Sequence, residues 1–279
     1  MPELPEVETI AALLRGNASD APLSIIGCRV KDARVLWPRT LANLEPAAFR
    51  KAIRGQDVVS VGRRGKFLVI TLSRGTLLLH LRMSGDVRVD PAGQPTDAEK
   101  HDRLIIEFTG GQRLVFNDTR KFGRAWLAGN PAEVFGDLGP EPLDEGLTEQ
   151  VFSGMLKNRK RQLKPLLMDQ RFLAGMGNIY TDEALHAAWL HPLQIANRVT
   201  ESQAGGLLEA MRAVLREGIR RNGASIDWVY RGGSFQNYFR VYGRAGQPCL
   251  TCGTLIERLL VGQRGTHICP RCQREQNAP

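Results

Sequence analysis

Apolar and polar positions change their rhythm about halfway along the chain. Leu4, Val7, Ile10, Ala11 and Leu14 recur at helical spacing, which predicts a short helix over 5–15. Strand-like runs follow at 24–30, 57–63, 67–72, 76–81, 85–89, 103–108, 113–117 and 123–127. Gly-containing turns separate several of them. Many short strands with local turns predict an antiparallel sandwich or barrel, and no alternation of strand and helix suggests a dinucleotide fold. Residues 91–100 are polar, hold two Pro and a Gly, and read as an exposed loop. The Gly- and Pro-rich stretch 129–146 has little periodicity and reads as a domain boundary. Beyond it the chain reads as helical. Thr148 is placed to cap a helix running to Lys157, and 163–168 and 179–187 are further short helices. The strongest is 204–221, with Leu207, Leu208, Met211, Val214, Leu215 and Ile219 on one side. From Phe239 onward the character changes again, into a strand and a cysteine-rich tail.

Charge narrows the class of partner. The 279 residues carry 38 Lys and Arg against 29 Asp and Glu, a formal net charge of +9. Such a surplus favours an anionic partner, with nucleic acid first among them. The N-terminal residues do not form a secretory leader, because Glu3, Glu6 and Glu8 replace its basic region. No run reaches the length of a membrane span, so no membrane partner is expected.

The five cysteines do not make an even disulfide framework. Cys249 and Cys252 form one CxxC pair, and Cys269 and Cys272 form another after sixteen residues. Two such pairs on tight turns can converge on one tetrahedral ion. Zinc accepts four thiolates, and four sulfurs leave no open coordination position, so one structural rather than catalytic zinc is expected. A small tail with little core needs such a clip to fold. Thiolate ligands fit a reducing cytoplasm. The intervening residues read as a β-hairpin with Gln263-Arg264-Gly265-Thr266 at its turn, which would present Arg264 to phosphates. Cys28 stands alone, and burial in the β domain is its ordinary expectation.

The N-terminal run Met1-Pro2-Glu3-Leu4-Pro5-Glu6-Val7-Glu8-Thr9 resembles the opening of the formamidopyrimidine-DNA glycosylase family. Further motifs resemble that family in its order: Arg63-Arg64-Gly65-Lys66, His80-Leu81-Arg82-Met83-Ser84-Gly85 and Asn117-Asp118-Thr119-Arg120-Lys121-Phe122-Gly123. Gly175-Met176-Gly177-Asn178-Ile179-Tyr180, Val241-Tyr242-Gly243-Arg244 and Gln263-Arg264-Gly265-Thr266 continue the series over nearly the whole chain.

The resemblance implies an N-terminal antiparallel β-sandwich with flanking helices, a helical domain with a helix–two-turn–helix, and a C-terminal zinc finger β-hairpin. The corresponding division is a catalytic domain at 1–130, a linker at 131–146, a helical DNA-binding domain at 147–238 and a zinc finger at 239–279. The implied protein is a monomeric, bacterial, cytoplasmic enzyme of base excision repair, associated with the nucleoid when bound to DNA. Its implied partner is double-stranded DNA containing oxidised bases or abasic sites.

The resemblance also implies roles. After removal of Met1, the secondary amine of Pro2 attacks C1′ of a damaged nucleotide, and Glu3 serves as general acid/base. Glu6 supports the site. Lys66, Asn178 and Arg264 contact phosphate, and Lys66 and Arg264 stand with the catalytic set. Met83, Arg120 and Phe122 fill the gap left by the extruded nucleotide. On the bare sequence, Met83 and Phe122 read as core residues. His80, Lys164 and Arg244 complete the expected DNA contacts.

One stretch departs from the family pattern. Members best known for 8-oxoguanine carry a longer, Gly-Lys-Pro-Gly-Tyr-Phe-like loop where this chain has 224–240. Trp228, Tyr230 and Phe235 are its candidates for stacking on a base. The alternatives are an endonuclease VIII-like glycosylase for oxidised pyrimidines or hydantoins, and a catalytically silent binder of damaged DNA. Leu4 favours the formamidopyrimidine branch over the former.

Overall fold

The computed structural model describes residues 1–16, 24–94, 97–225 and 232–275. Two compact units emerge, one drawn from Met1–Gly136 with Ser225–Gly233, the other from Asp137–Ala224 with Ser234–Pro279. The division falls inside the Gly- and Pro-rich stretch. The cysteine tail belongs to the same unit as the long helices.

The first unit is a two-sheet sandwich. Its first sheet has the order β1-β6-β7-β5, from Val30–Val35, Asp102–Phe108, Arg113–Asp118 and Gly85–Asp90. The second has the order β2-β3-β4-β8, from Val58–Arg64, Phe67–Leu72, Gly75–His80 and Arg124–Ala128. All strand pairs in both sheets are antiparallel. Alternation decides which face is buried: Leu68, Ile70 and Leu72 of β3 enter the core with Leu104 and Ile106 of β6 and Phe116 of β7. Helix α1 (Leu4–Arg15) adds Val7, Ile10, Ala11 and Leu14 to the same core.

Two elements escape the sequence pattern. The run 24–30 is expected as a strand, but Cys28 N–H bonds Ile25 O at 3.1 Å, so these backbone groups are spent in a turn. The strand begins at Val30 instead. A register shift between Val30 and Asp32 breaks its alternation and buries Val30 and Ala33. Helix α2 (Pro46–Ile53) is short and has Pro in its first turn; it buries only Phe49 and Ile53, four residues apart.

The short helix α3 (Ala132–Phe135) lies within the stretch read as linker, and Phe135 packs edge-on to Phe67 with centroids 5.6 Å apart. In the second unit, α4 (Glu149–Lys157) is capped by Thr148 as its sequence predicts. Helix α5 (Leu163–Leu167) follows, then α6 (Asn178–Ala187). Helix α7 (Glu201–Arg220) begins three residues before the predicted start, because Thr200 and Gln203 form a reciprocal capping box. A hairpin of β9 (Glu257–Val261) and β10 (Arg264–Ile268) ends the fold.

Helix α6 is the post on which the cysteine tail is mounted. All its residues from Ile179 to His186 are buried, and of the four polar ones Asp182, Glu183 and His186 meet the tail. Asp182 takes the hairpin backbone: its Oδ2 accepts His267 N–H at 2.9 Å. Glu183 accepts N–H bonds from Arg240, Val241 and Tyr242 at 2.8, 3.0 and 2.8 Å. His186 Nε2 lies 3.6 Å from Cys249 Sγ.

Candidate active site and nucleic-acid interface

The predicted site residues fall into two groups, one on each unit. On the first, Pro2 and Glu3 are buried at the entry to α1. Glu3 is the N-cap, and Glu6 reaches back so that its Oε2 accepts Glu3 N–H at 2.7 Å. This capping box fixes the backbone beside Pro2. Glu6 is therefore a support of the N-terminus, and Glu8 is tied to Arg15 and Arg63 at 2.6 and 3.0 Å.

Lys66 lies between two strands. With Gly65 it forms the two-residue turn between β2 and β3, closed by the pair Arg64 and Phe67, and it is only 5% exposed. His80 ends β4, and its Nδ1 accepts Arg82 N–H at 3.1 Å. Burial, with the charges of Arg82 and Lys66, lowers its pKa to about 3. It is a neutral imidazole, with Nδ1 as acceptor and Nε2 left to donate.

Met83 and Phe122 are not core residues. They are 39% and 50% exposed, on the turns β4–β5 and β7–β8. Sequence alone reads an isolated apolar residue beside a strand as buried; the turn position decides otherwise. The Arg120 guanidinium sits 5.2 Å from the centre of the Phe122 ring. Lys121, between them, has φ 59° and lays its ammonium 4.1 Å from the centre of the Trp37 ring.

On the second unit, the hairpin turn consists of Gly262 and Gln263, both with positive φ (54° and 61°). Such a turn needs two left-handed residues, which Gly supplies without strain. Arg264 is thus the first residue of β10, paired with Val261, rather than part of the turn. It is exposed. Its neighbour Gly265 offers a carbonyl that accepts Asn178 Nδ2 at 3.1 Å and Lys164 Nζ at 3.1 Å. The Asn178 amide has a second hydrogen beyond this bond.

Lys164 stands in a different place from the one expected. Its side chain is 0% exposed, and its ammonium donates to Asp182 Oδ1, Thr266 Oγ1 and Gly265 O. An ammonium with three such partners positions the hairpin and is not a surface phosphate contact. Arg244 is also largely committed, donating to Gln247 Oε1, Arg240 O and Pro248 O. Phe235 is core: it stacks on buried Tyr180 at 5.2 Å and 5° and meets Phe239 edge-on. Trp228 and Tyr230 lie outside the described residues. Cys28 is half-buried, and its Sγ accepts Gln112 Nε2 at 3.2 Å.

The four tail cysteines converge. Their Sγ atoms lie within 4.8 Å of one another, and none is in a disulfide. Thr251 N–H points to Cys249 Sγ and Cys272 N–H to Cys269 Sγ, each at 3.4 Å, donors that favour thiolates. Apart from the cysteines, the local core among the described residues consists of Val241 and Ile256. The donor set fits one structural zinc, held by Cys249, Cys252, Cys269 and Cys272.

Sequence reasoning missed Ser84, Asp118, Asp182 and Trp37. Ser84 and Asp118 lie inside motifs that were legible, but their roles rest on contacts with one another across the sequence.

Three family models match the chain: the formamidopyrimidine-DNA glycosylase N-terminal domain over residues 1–125, the formamidopyrimidine-DNA glycosylase H2TH domain over 138–229, and a zinc finger found in FPG and IleRS over 246–274. The formamidopyrimidine-DNA glycosylase of Protochlamydia amoebophila is 42% identical over 284 residues, covering 99% of this chain and all of the relative. That of Chloroflexus aggregans is 42% identical over 281 residues, covering 98% of each. Among solved structures, the Lactococcus lactis FPG in complex with a FAPY-dG containing DNA superposes with TM-score 0.88 at 34% identity, covering 98% of this chain and all of that one. The same protein non-covalently bound to an AP site containing DNA gives 0.87 at 33%, with the same coverage. The chain belongs to the formamidopyrimidine-DNA glycosylase family.

Proposed function

We propose that the protein is a bifunctional DNA glycosylase and AP lyase that removes oxidised purines, including formamidopyrimidines and 8-oxoguanine, from double-stranded DNA. The observation that carries this reading is the pairing of Pro2 and Glu3 at the capped entry of α1, where a nucleophile and a proton carrier adjoin on a fixed backbone.

The reaction begins once Met1 has been removed and Pro2 carries a free secondary amine. An α-amine titrates near pH 8, so a useful neutral fraction exists at pH 7. Its lone pair forms a bond to C1′ as the bond from C1′ to the base breaks, and the base leaves with a proton. Glu3 protonates the sugar ring oxygen, and ring opening gives an iminium between the Pro2 nitrogen and C1′. The positive nitrogen draws electrons from C2′, whose proton is lost as the 3′ phosphate departs. A second elimination releases the 5′ phosphate, and hydrolysis of the iminium frees Pro2.

Lys66, Asn178 and Arg264 hold phosphates during these steps. Met83, Arg120 and Phe122 occupy the space of the extruded nucleotide, and their exposure supports that role. Zinc on the four cysteines supplies only rigidity to the hairpin that carries Arg264. The protein acts as a monomer in the bacterial cytoplasm, where thiolate ligands stay reduced. Among the described residues, no helix is long and apolar enough to cross a membrane.

Borohydride trapping on a duplex with one 8-oxoguanine opposite cytosine tests the reading. A cross-link mapped by mass to Pro2 is the expected result. An abasic duplex run alongside separates loss of base recognition from loss of the amine chemistry: trapping on neither substrate overturns the proposal.

A further inference from the structure

The Met83 and Phe122 turns leave the sandwich from the same end, as two neighbouring crossovers between its sheets. The first carries the chain from β4 to β5, the second from β7 to β8. Their ends face each other in both sheets: His80 pairs with Arg124, and Gly85 pairs with Asp118. Side chains then join the turns. Ser84 donates its hydroxyl to Asp118 Oδ1 and accepts Arg120 N–H at 3.1 Å. The same carboxylate accepts Arg120 N–H at 3.1 Å and, through Oδ2, Gly123 N–H at 2.7 Å. Ser84 and Asp118 are 6% and 1% exposed, so these bonds are shielded from water.

Both turns also close on one ring. A Cβ on Gly85 would lie 2.9 Å from Phe116 Cε2, and one on Gly123 would lie 2.4 Å from Phe116 Cζ. The turns therefore share a hydrogen-bonded bridge and close packing against one aromatic ring. Neither is free to shift without the other.

We propose that Ser84 and Asp118 form a clamp that makes Met83, Arg120 and Phe122 enter the DNA stack as one rigid unit. Ser84 and Asp118 are positioning residues; they act through the three side chains that fill the gap. The inference rests on the glycosylase reading above. Insertion is resisted by base stacking, so a wedge must hold its shape under load. A charge-assisted bridge between two turns removes the conformations in which one tip yields while the other stays. A single-stranded abasic site has no stacked duplex to invade and does not need the clamp.

The test compares wild type, Ser84→Ala, Phe122→Ala and the double variant by borohydride trapping rate. The substrates are an 8-oxoguanine:cytosine duplex and a single-stranded abasic oligonucleotide. With Ser84→Ala the duplex rate should fall about tenfold, the scale of losing one hydrogen bond to a charged group. The single-strand rate should not change, which also reports an intact fold and amine. In the Phe122→Ala background, Ser84→Ala should add little further loss, because the two act in one unit. The clamp is overturned if Ser84→Ala traps duplex like wild type, slows both substrates equally, or acts independently of Phe122. Failure of wild type to trap either substrate overturns the glycosylase reading itself, and the clamp with it.

Discussion

Lys164 Nζ lies 2.6 Å from Asp182 Oδ1, and both side chains are fully buried. The pair joins α5 to α6 and, through Gly265 O and Thr266 Oγ1, secures the strand that begins with Arg264. Removing one partner of such a pair strands a charge in the interior. Lys164→Met should destabilise the fold by about 3–5 kcal/mol, read from urea unfolding. Its DNA affinity should keep the wild-type salt dependence, since no phosphate contact is lost.

Arg264→Ala gives the opposite pattern. Its side chain is exposed, so stability should hardly change. The slope of log K against log salt for DNA binding should fall in magnitude by about 1, the signature of one lost phosphate contact. An unchanged slope would remove Arg264 from the phosphate-binding set.

Chelation of zinc should release the tail from its fold. Apart from the four cysteines, the local core among the described residues holds only Val241 and Ile256. It cannot replace the about 10–16 kcal/mol that a structural zinc contributes in small fingers. One equivalent of zinc per chain should appear in solution, with loss of DNA binding measured by anisotropy. Cys272→Ala should reproduce both the lower metal content and the lost binding.

His80 supplies a pH test. Its folded pKa of about 3 lies below the ordinary 6.5, chiefly because burial disfavours the charged ring. Between those values the unfolded chain binds the proton and the folded one does not. Its contribution to stability is therefore complete above pH 6.5 and falls as pH drops toward 3. NMR should find the His80 ring neutral at pH 5, and a His80 pKa near 6.5 in the folded protein would refute the assignment.

Gly123→Ala tests the packing of the Phe122 turn against Phe116. The added methyl would overlap the Phe116 ring, which is itself 1% exposed and has little room to yield. A loss of about 1–3 kcal/mol is expected, read as a lower Tm. Wild-type stability would mean that Phe116 moves aside freely.

Much of the fold is legible in the sequence. Strand β3 alternates cleanly because one face of its sheet is core, so Phe67–Leu72 is read from sequence with its true limits. Thr148 announces α4 through cap chemistry that acts within three residues, whereas the box of Thr200 and Gln203 that starts α7 shows only in the structure. The four cysteines declare a metal site by spacing alone. All of these are local signals, written in adjacent residues and in the period of the backbone.

What sequence could not decide is where a side chain ends among distant neighbours. Lys164 reads as a surface cation, and only packing of α5, α6 and the hairpin buries it on Asp182. Met83 and Phe122 read as core, and only the sandwich's crossover turns expose them. Ser84 and Asp118 lie 34 residues apart in the chain and meet because β5 and β7 pair. Sequence determines the elements, the zinc ligands and the chemical groups on offer, since these follow from propensity, capping and valence. Burial, partner choice and protonation belong to the tertiary structure, because desolvation and hydrogen bonding depend on groups brought together across long sequence separations.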